Sequence, residues 1–149
     1  MQVFRFMSNY EFEQYRSGKT LINKKDHHQE TKRRTNSIGF CFLDINDYKP
    51  EKALHFLSGI VNFDICAVFE TDKILNKTWG TYAKPIKSNG NPLEEILRVL
   101  NGFNEQFTST EYCITEYNNE DFKLIKYSQN IWQQWNPQEE QSILNWKKV

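Results

Sequence analysis

The chain has no excess of either charge, since its 19 basic and 19 acidic side chains cancel. That balance removes the global electrostatic argument for a nucleic-acid partner and leaves only local patches to consider. Cysteine is scarce and odd in number, with Cys41, Cys66 and Cys113 each alone in an apolar stretch. A disulfide framework is therefore not expected, nor is a zinc site, because no Cys-x-x-Cys pair is present. Three buried thiols are the expectation. No apolar run approaches the roughly 20 residues that a membrane helix needs, so no membrane role is expected. The opening residues, Met1-Gln2-Val3-Phe4-Arg5-Phe6, run directly into polar and acidic ones rather than into an apolar segment with a cleavage site. They do not read as a secretory signal, and the expected location is the cytoplasm.

What the sequence does have is aromatic mass. Eleven Phe, seven Tyr and four Trp can fill a core despite the polar average. A chain of 149 residues has the length of one domain that buries about two thirds of its unfolded surface. The apolar pattern predicts short strands mixed with short helices, an α+β protein. Val3-Phe4-Arg5-Phe6-Met7-Ser8 reads as a first strand, and Ser8 or Asn9 caps a helix carrying Glu11, Phe12, Glu13 and Tyr15, with Gly18 as its stop. Residues 21–35 lack either apolar period and read as an exposed loop.

Further along, Thr35-Asn36-Ser37 feeds an apolar strand over 38–43. Pro50 starts a helix whose apolar face is Ala53, Phe56, Leu57 and Ile60, and 64–70 is a buried strand. Residues 79–85 and 88–92 read as loop or edge, and Leu93, Ile96, Leu97 and Leu100 return to helical spacing before Gly102. Two strands, 112–117 and 122–127, are expected to form a hairpin through Asn118-Asn119-Glu120-Asp121, and an amphipathic stretch over 137–146 closes the chain. Glu111 stands out because it sits at the mouth of a β-branched and aromatic strand, where a carboxylate reaches a ligand without entering the core.

The order of these features resembles the Arg-Ser-Glu class of mono-ADP-ribosyltransferases. The residues that carry the resemblance are Phe4-Arg5 in the first strand, the helix ending at Gly18, Thr35-Asn36-Ser37, Ala53-Leu54-His55-Phe56 on a helix, and the strand opening at Glu111. The stretch from Thr110 to Ile114 and on through Phe122-Lys123-Leu124-Ile125-Lys126-Tyr127 is also similar to paired strands of the poly-ADP-ribose polymerases. The resemblance covers roughly residues 3 to 127. It implies a split β-sandwich of two small sheets flanked by short helices, facing each other around NAD.

The resemblance further implies that Arg5 holds the phosphate or nicotinamide-ribose side of NAD, Ser37 orders the cleft, and Glu111 is the catalytic carboxylate. Glu111 would accept the nicotinamide-ribose 2′-hydroxyl and stabilise the oxocarbenium-like charge that grows as nicotinamide leaves. Phe42, Phe56 and Tyr82 are candidates to cover the nicotinamide ring. The implied acceptor is macromolecular, a protein first and nucleic acid as the alternative, and no metal is implied. Arginine-modifying members carry Glu two residues before the catalytic Glu, and this chain has Ser109 there. Phe107 and Ser109 fall in the implied acceptor loop, and the missing acid keeps an NAD glycohydrolase on the same fold, or a non-catalytic binding module, open as alternatives. RNA 2′-phosphotransferases on this fold use several Arg and a His, of which only Arg5 has a counterpart here.

Simpler readings accompany each residue. A strand Arg most often makes an ion pair worth about 0–1 kcal/mol at the surface, a Ser before a strand is most often a turn residue, and an acid at a strand entry often guards against aggregation. Adjacent His27 and His28 point apart in an extended loop and do not suggest a metal. The basic run between Lys24 and Arg34 is diluted by Asp26 and Glu30, and Trp132 and Trp135 are expected to anchor the C-terminal segment.

Overall fold

The computed structural model describes residues 1–22, 39–57, 63–73, 75–83, 106–134 and 144–149, with only the backbone described at 55–57, 76, 78–83, 106–109, 132 and 134. The elements are β1 (Gln2–Met7), α1 (Asn9–Arg16), β2 (Leu21–Ile22), β3 (Phe40–Asp44), α2 (Pro50–Leu57), β4 (Ile65–Thr71), β5 (Asn76–Ala83), β6 (Gln106–Ile114), β7 (Glu116–Tyr117), β8 (Phe122–Gln129), α3 (Ile131–Gln134) and β9 (Lys147–Lys148). Seven strands form one sheet in the order β5-β6-β3-β1-β4-β8-β9, and β2 pairs with β7 in a separate ladder. Among the described residues every pairing is antiparallel. The α+β class is as expected, and no helix among the described residues is long and apolar enough to cross a membrane.

Side chains alternate along each strand, so the sheet has two apolar faces. Phe4, Phe6, Leu43, Cys66 and Val68 point to one and pack with Ala53 and Leu54 of α2, Ile131 of α3, and Leu144. Val3, Met7, Phe40, Phe42, Ala67 and Phe69 point to the other and meet Phe12 and Tyr15 of α1, with Tyr117 and Phe122. The second face is aromatic: Phe42 stacks on Phe122 at 4.8 Å and meets Tyr117 edge-on at 5.3 Å. An eight-residue helix is too short to be stable alone. Burial of Phe12 and Tyr15, at about 1.5–3 kcal/mol each, outweighs the cap of about 1 kcal/mol, so docking rather than propensity holds α1. The cap is still as expected: Ser8 Oγ accepts from Glu11 N at 3.2 Å, and Gly18 stops the chain at φ +83°.

The junction between β1 and β3 is the thin point of the sheet. β1 aligns with β4 over six residue pairs and β5 with β6 over eight, but β1 and β3 share two, Val3 with Asp44 and Phe4 with Leu43. Both strands continue past that point, so their length does not limit the pairing. The expected two small sheets are thus joined here into one sheet, continuous across a short seam.

Several expectations shift. β6 begins at Gln106, so Glu111 lies inside a nine-residue strand rather than at its mouth, and Phe107 and Ser109 are strand residues opposite Tyr82 and Gly80 instead of loop residues. The expected hairpin between 112–117 and 122–127 does not form. The strand breaks at Thr115, Glu116 and Tyr117 pair with β2, and β8 pairs with β4 over seven positions. Leu21 and Ile22, expected to open a loop, form the partner of that ladder. Residues 79–83, read as loop or edge, are an edge strand, in keeping with the second of those readings. The C-terminal end is extended at β9, and Trp146 Nε1 donates to Glu51 Oε1 of α2 at 2.8 Å. The expected helix over 93–100, residues 23–35 of the expected loop with His27, His28 and its basic run, Trp135, and residues 137–143 of the expected amphipathic stretch lie outside the described residues.

Candidate functional site

Arg5 stands at the seam. Its Nη1 donates to the Cys41 carbonyl of β3 at 3.1 Å, bridging the two strands just past the point where their ladder stops. Its other edge is a fork on Glu11 of α1: Nε donates to Oε2 at 2.7 Å and Nη2 to Oε1 at 2.8 Å. Tyr117 Oη donates to the same Oε2 at 2.8 Å, so one carboxylate ties β1, α1 and β7 together. Ser8-x-x-Glu11 has the spacing of a capping box, and the Glu11 carboxylate turns to Arg5.

The electrostatics of this group follow from its burial. Burial opposes the Arg5 charge, but the negative charge and hydrogen bonds of Glu11 outweigh it and hold the guanidinium above its ordinary value. Tyr117 is pushed well up, first by burial and then by the facing Glu11 charge, so its phenol stays protonated and serves as a donor. The Arg5 guanidinium also lies 5.2 Å from the Phe40 ring centre and 5.9 Å from that of Phe42.

Glu111 occupies the opposite face. It pairs with Leu43 of β3, and directly opposed residues in an antiparallel ladder project the same way, so its side chain points to the α2 side of the sheet. Arg5 pairs with Ala67 and points to the α1 side. Glu111 is 1% exposed. Cys41 and Cys113, opposed in register, share its face, and their sulfurs and a Glu111 carboxylate oxygen all lie within 4.8 Å of one another.

The structure therefore places Arg5 and Glu111 on strands to either side of the seam without bringing the two side chains into one pocket. The expectation that Glu111 stays out of the core is corrected, because it faces a covered side of the sheet. Phe42, expected to cover a nicotinamide ring, is fully buried among Phe69, Tyr117 and Phe122 and belongs to the core. Ser37 and the side chains of Phe56, Tyr82, Phe107 and Ser109 lie outside the described residues. All three cysteines are buried and none is in a disulfide.

Sequence reasoning missed Glu11 as the partner of Arg5, and Cys41 with Cys113 as a pair. Ser8-x-x-Glu11 directly after the Arg5 strand was a usable signal for the first. The second had none, because 72 residues separate the cysteines and only the β3–β6 register joins them. Compared with family models, with curated proteins and with solved structures, the chain matches none of them.

Proposed function

We propose that the chain is an NAD-dependent mono-ADP-ribosyltransferase of the Arg-Ser-Glu class, cleaving the nicotinamide–ribose bond and passing ADP-ribose to a protein or nucleic-acid acceptor, a protein being the first choice. The observation that carries the reading is the seam. Arg5 sits on β1 at the place where pairing to β3 gives out, and Glu111 sits on β6, the other neighbour of β3. The fold of that class would set β5-β6-β3 and β1-β4-β8-β9 around NAD as two halves; here the same strands are joined at the seam in one sheet.

In that reading the Arg5 fork exchanges one oxyanion for another. Glu11 presents two oxygens at 2.7 and 2.8 Å, the geometry that a phosphate would also offer, so a bound pyrophosphate displaces Glu11. Glu111 accepts the ribose 2′-hydroxyl and stabilises the cationic anomeric carbon as nicotinamide departs. Because Arg5 and Glu111 now face opposite sides, binding requires the halves to part further at the seam. Ser37 orders the cleft, and Phe56 or Tyr82 covers the nicotinamide.

Two facts favour a second reading, a non-catalytic module on the same scaffold: Glu111 is buried, and Arg5 is already held by Glu11. Incubation of the purified protein with NAD labelled in its adenylate half, with and without cell lysate, separates the readings. Nicotinamide release with label on macromolecules supports the transferase. Release with label only in free ADP-ribose favours the glycohydrolase suggested by Ser109, and no NAD turnover in either condition leaves the binding module.

A further inference from the structure

We propose that Cys41 and Cys113 form a redox-active dithiol site that takes peroxide-class oxidants and closes to an intramolecular disulfide across β3 and β6. The inference stands apart from the NAD reading and rests on geometry. The two residues are direct partners in the antiparallel ladder, and their sulfurs are 3.0 Å apart. Directly opposed positions place Cα atoms about 4.5–5.5 Å apart, inside the roughly 4.4–6.8 Å span that a disulfide accepts. Closure to the covalent distance of about 2.05 Å therefore asks for about 1 Å of sulfur movement and no change of register.

The neighbouring Glu111 oxygen makes a cation the obvious competitor, since two thiols and a carboxylate form a plausible zinc donor set. The sulfur spacing decides against it. Two thiolates at about 2.3 Å from a tetrahedral zinc stand about 3.8 Å apart, so a cation would have to push the strands outward from 3.0 Å, whereas a disulfide draws the sulfurs inward. Cys66 is a built-in comparison: it lies on β4 opposite Phe6 and Ser128 rather than opposite another cysteine.

The chemistry balances with hydrogen peroxide as oxidant. One sulfur, as thiolate, attacks a peroxide oxygen. The O–O bond breaks, the departing hydroxide takes the released proton to become water, and a sulfenic acid remains. The second sulfur attacks that sulfenic sulfur, the S–S bond forms, the S–O bond breaks and a second water leaves. Two thiols are oxidised, one peroxide is reduced, and two waters are produced. The oxidant has to be small, because Cys41 and Cys113 are only 6% and 3% exposed.

The test oxidises the folded protein with a few equivalents of hydrogen peroxide, quenches it, unfolds it and counts thiols, with peptide mass mapping. The expected result is a fall from three thiols to one, a mass loss of two hydrogens, and a bridge mapped to Cys41 and Cys113. Cys66→Ala should still form the bridge and keep no thiol, while Cys41→Ala and Cys113→Ala should form none. Oxidation should also raise Tm in the wild-type protein and in Cys66→Ala, which needs no cysteine-pair variant to fold. Three surviving thiols, separate sulfinic acids, or a bridge to Cys66 or to another chain would overturn the proposal. So would zinc that survives gel filtration on the reduced protein, because it would replace the disulfide with a metal site.

Discussion

Glu11 receives three hydrogen bonds, two from Arg5 and one from Tyr117, and this small network was only half legible in the sequence. Arg5 stood out as a charge in an apolar strand, but its partner did not, because a first-turn acid is explained well enough by the helix dipole. Tyr117 exposes the network to a pH test. Its folded-state proton affinity is raised by burial and by Glu11, whereas an unfolded tyrosine ionises near pH 10. Above that pH the unfolded chain has lost a proton that the folded chain keeps, so stability is fully present below about pH 10 and falls as pH rises toward the folded value. Tyr15, raised by burial, adds in the same direction. Tyr117→Phe should lower stability by about 1–3 kcal/mol near neutral pH, since Glu11 loses a donor, and should decline less steeply between about pH 9 and about pH 11. Urea unfolding across that range checks both. Equal slopes for mutant and wild type would contradict the buried-donor role.

Elements with an unbroken apolar run or a cap signal were readable, and those fixed by long-range pairing were not. β1, β3 and β4 followed from apolar runs, and α1 from Ser8 and Gly18. The break at Thr115 was invisible because Tyr112 to Tyr117 is one unbroken β-favouring run, and its cause lies in partners that the sequence does not show: β2 for one part and β3 for the other. Gly39 marks that region. Its φ is +109°, and an added Cβ would lie 2.4 Å from the Ile114 carbonyl oxygen, so the neighbour that must shift is backbone. Gly39→Ala should destabilise by about 1–3 kcal/mol or more, measured by urea unfolding, and a neutral effect would mean that β3 and β6 do not approach as described. The seam makes a second claim at this scale. Amides of β1 and β4 inside their six-pair ladder should exchange with solvent more slowly than those of β3 facing β1, and equal protection would show that the sheet has no weak line.

For the molecule as a whole, composition and periodicity led to the α+β class, and the order of Arg5, Ser37 and Glu111 along the chain suggested how its strands are used. What they could not reveal was the face on which each side chain lands, since one step of register reverses it. That is why Glu111, read as a strand-mouth acid, is a buried residue in mid-strand facing away from Arg5. The proposed function has this carboxylate act on NAD when the seam parts. It is tested most directly by the rate of nicotinamide release from NAD by the wild-type protein and by Glu111→Gln, which keeps the shape and removes the charge. Release by the wild type should be measurable and should fall by about 10²-fold or more in the mutant, with similar urea midpoints. Equal release by the two proteins, or none from the wild type with and without lysate, would contradict it.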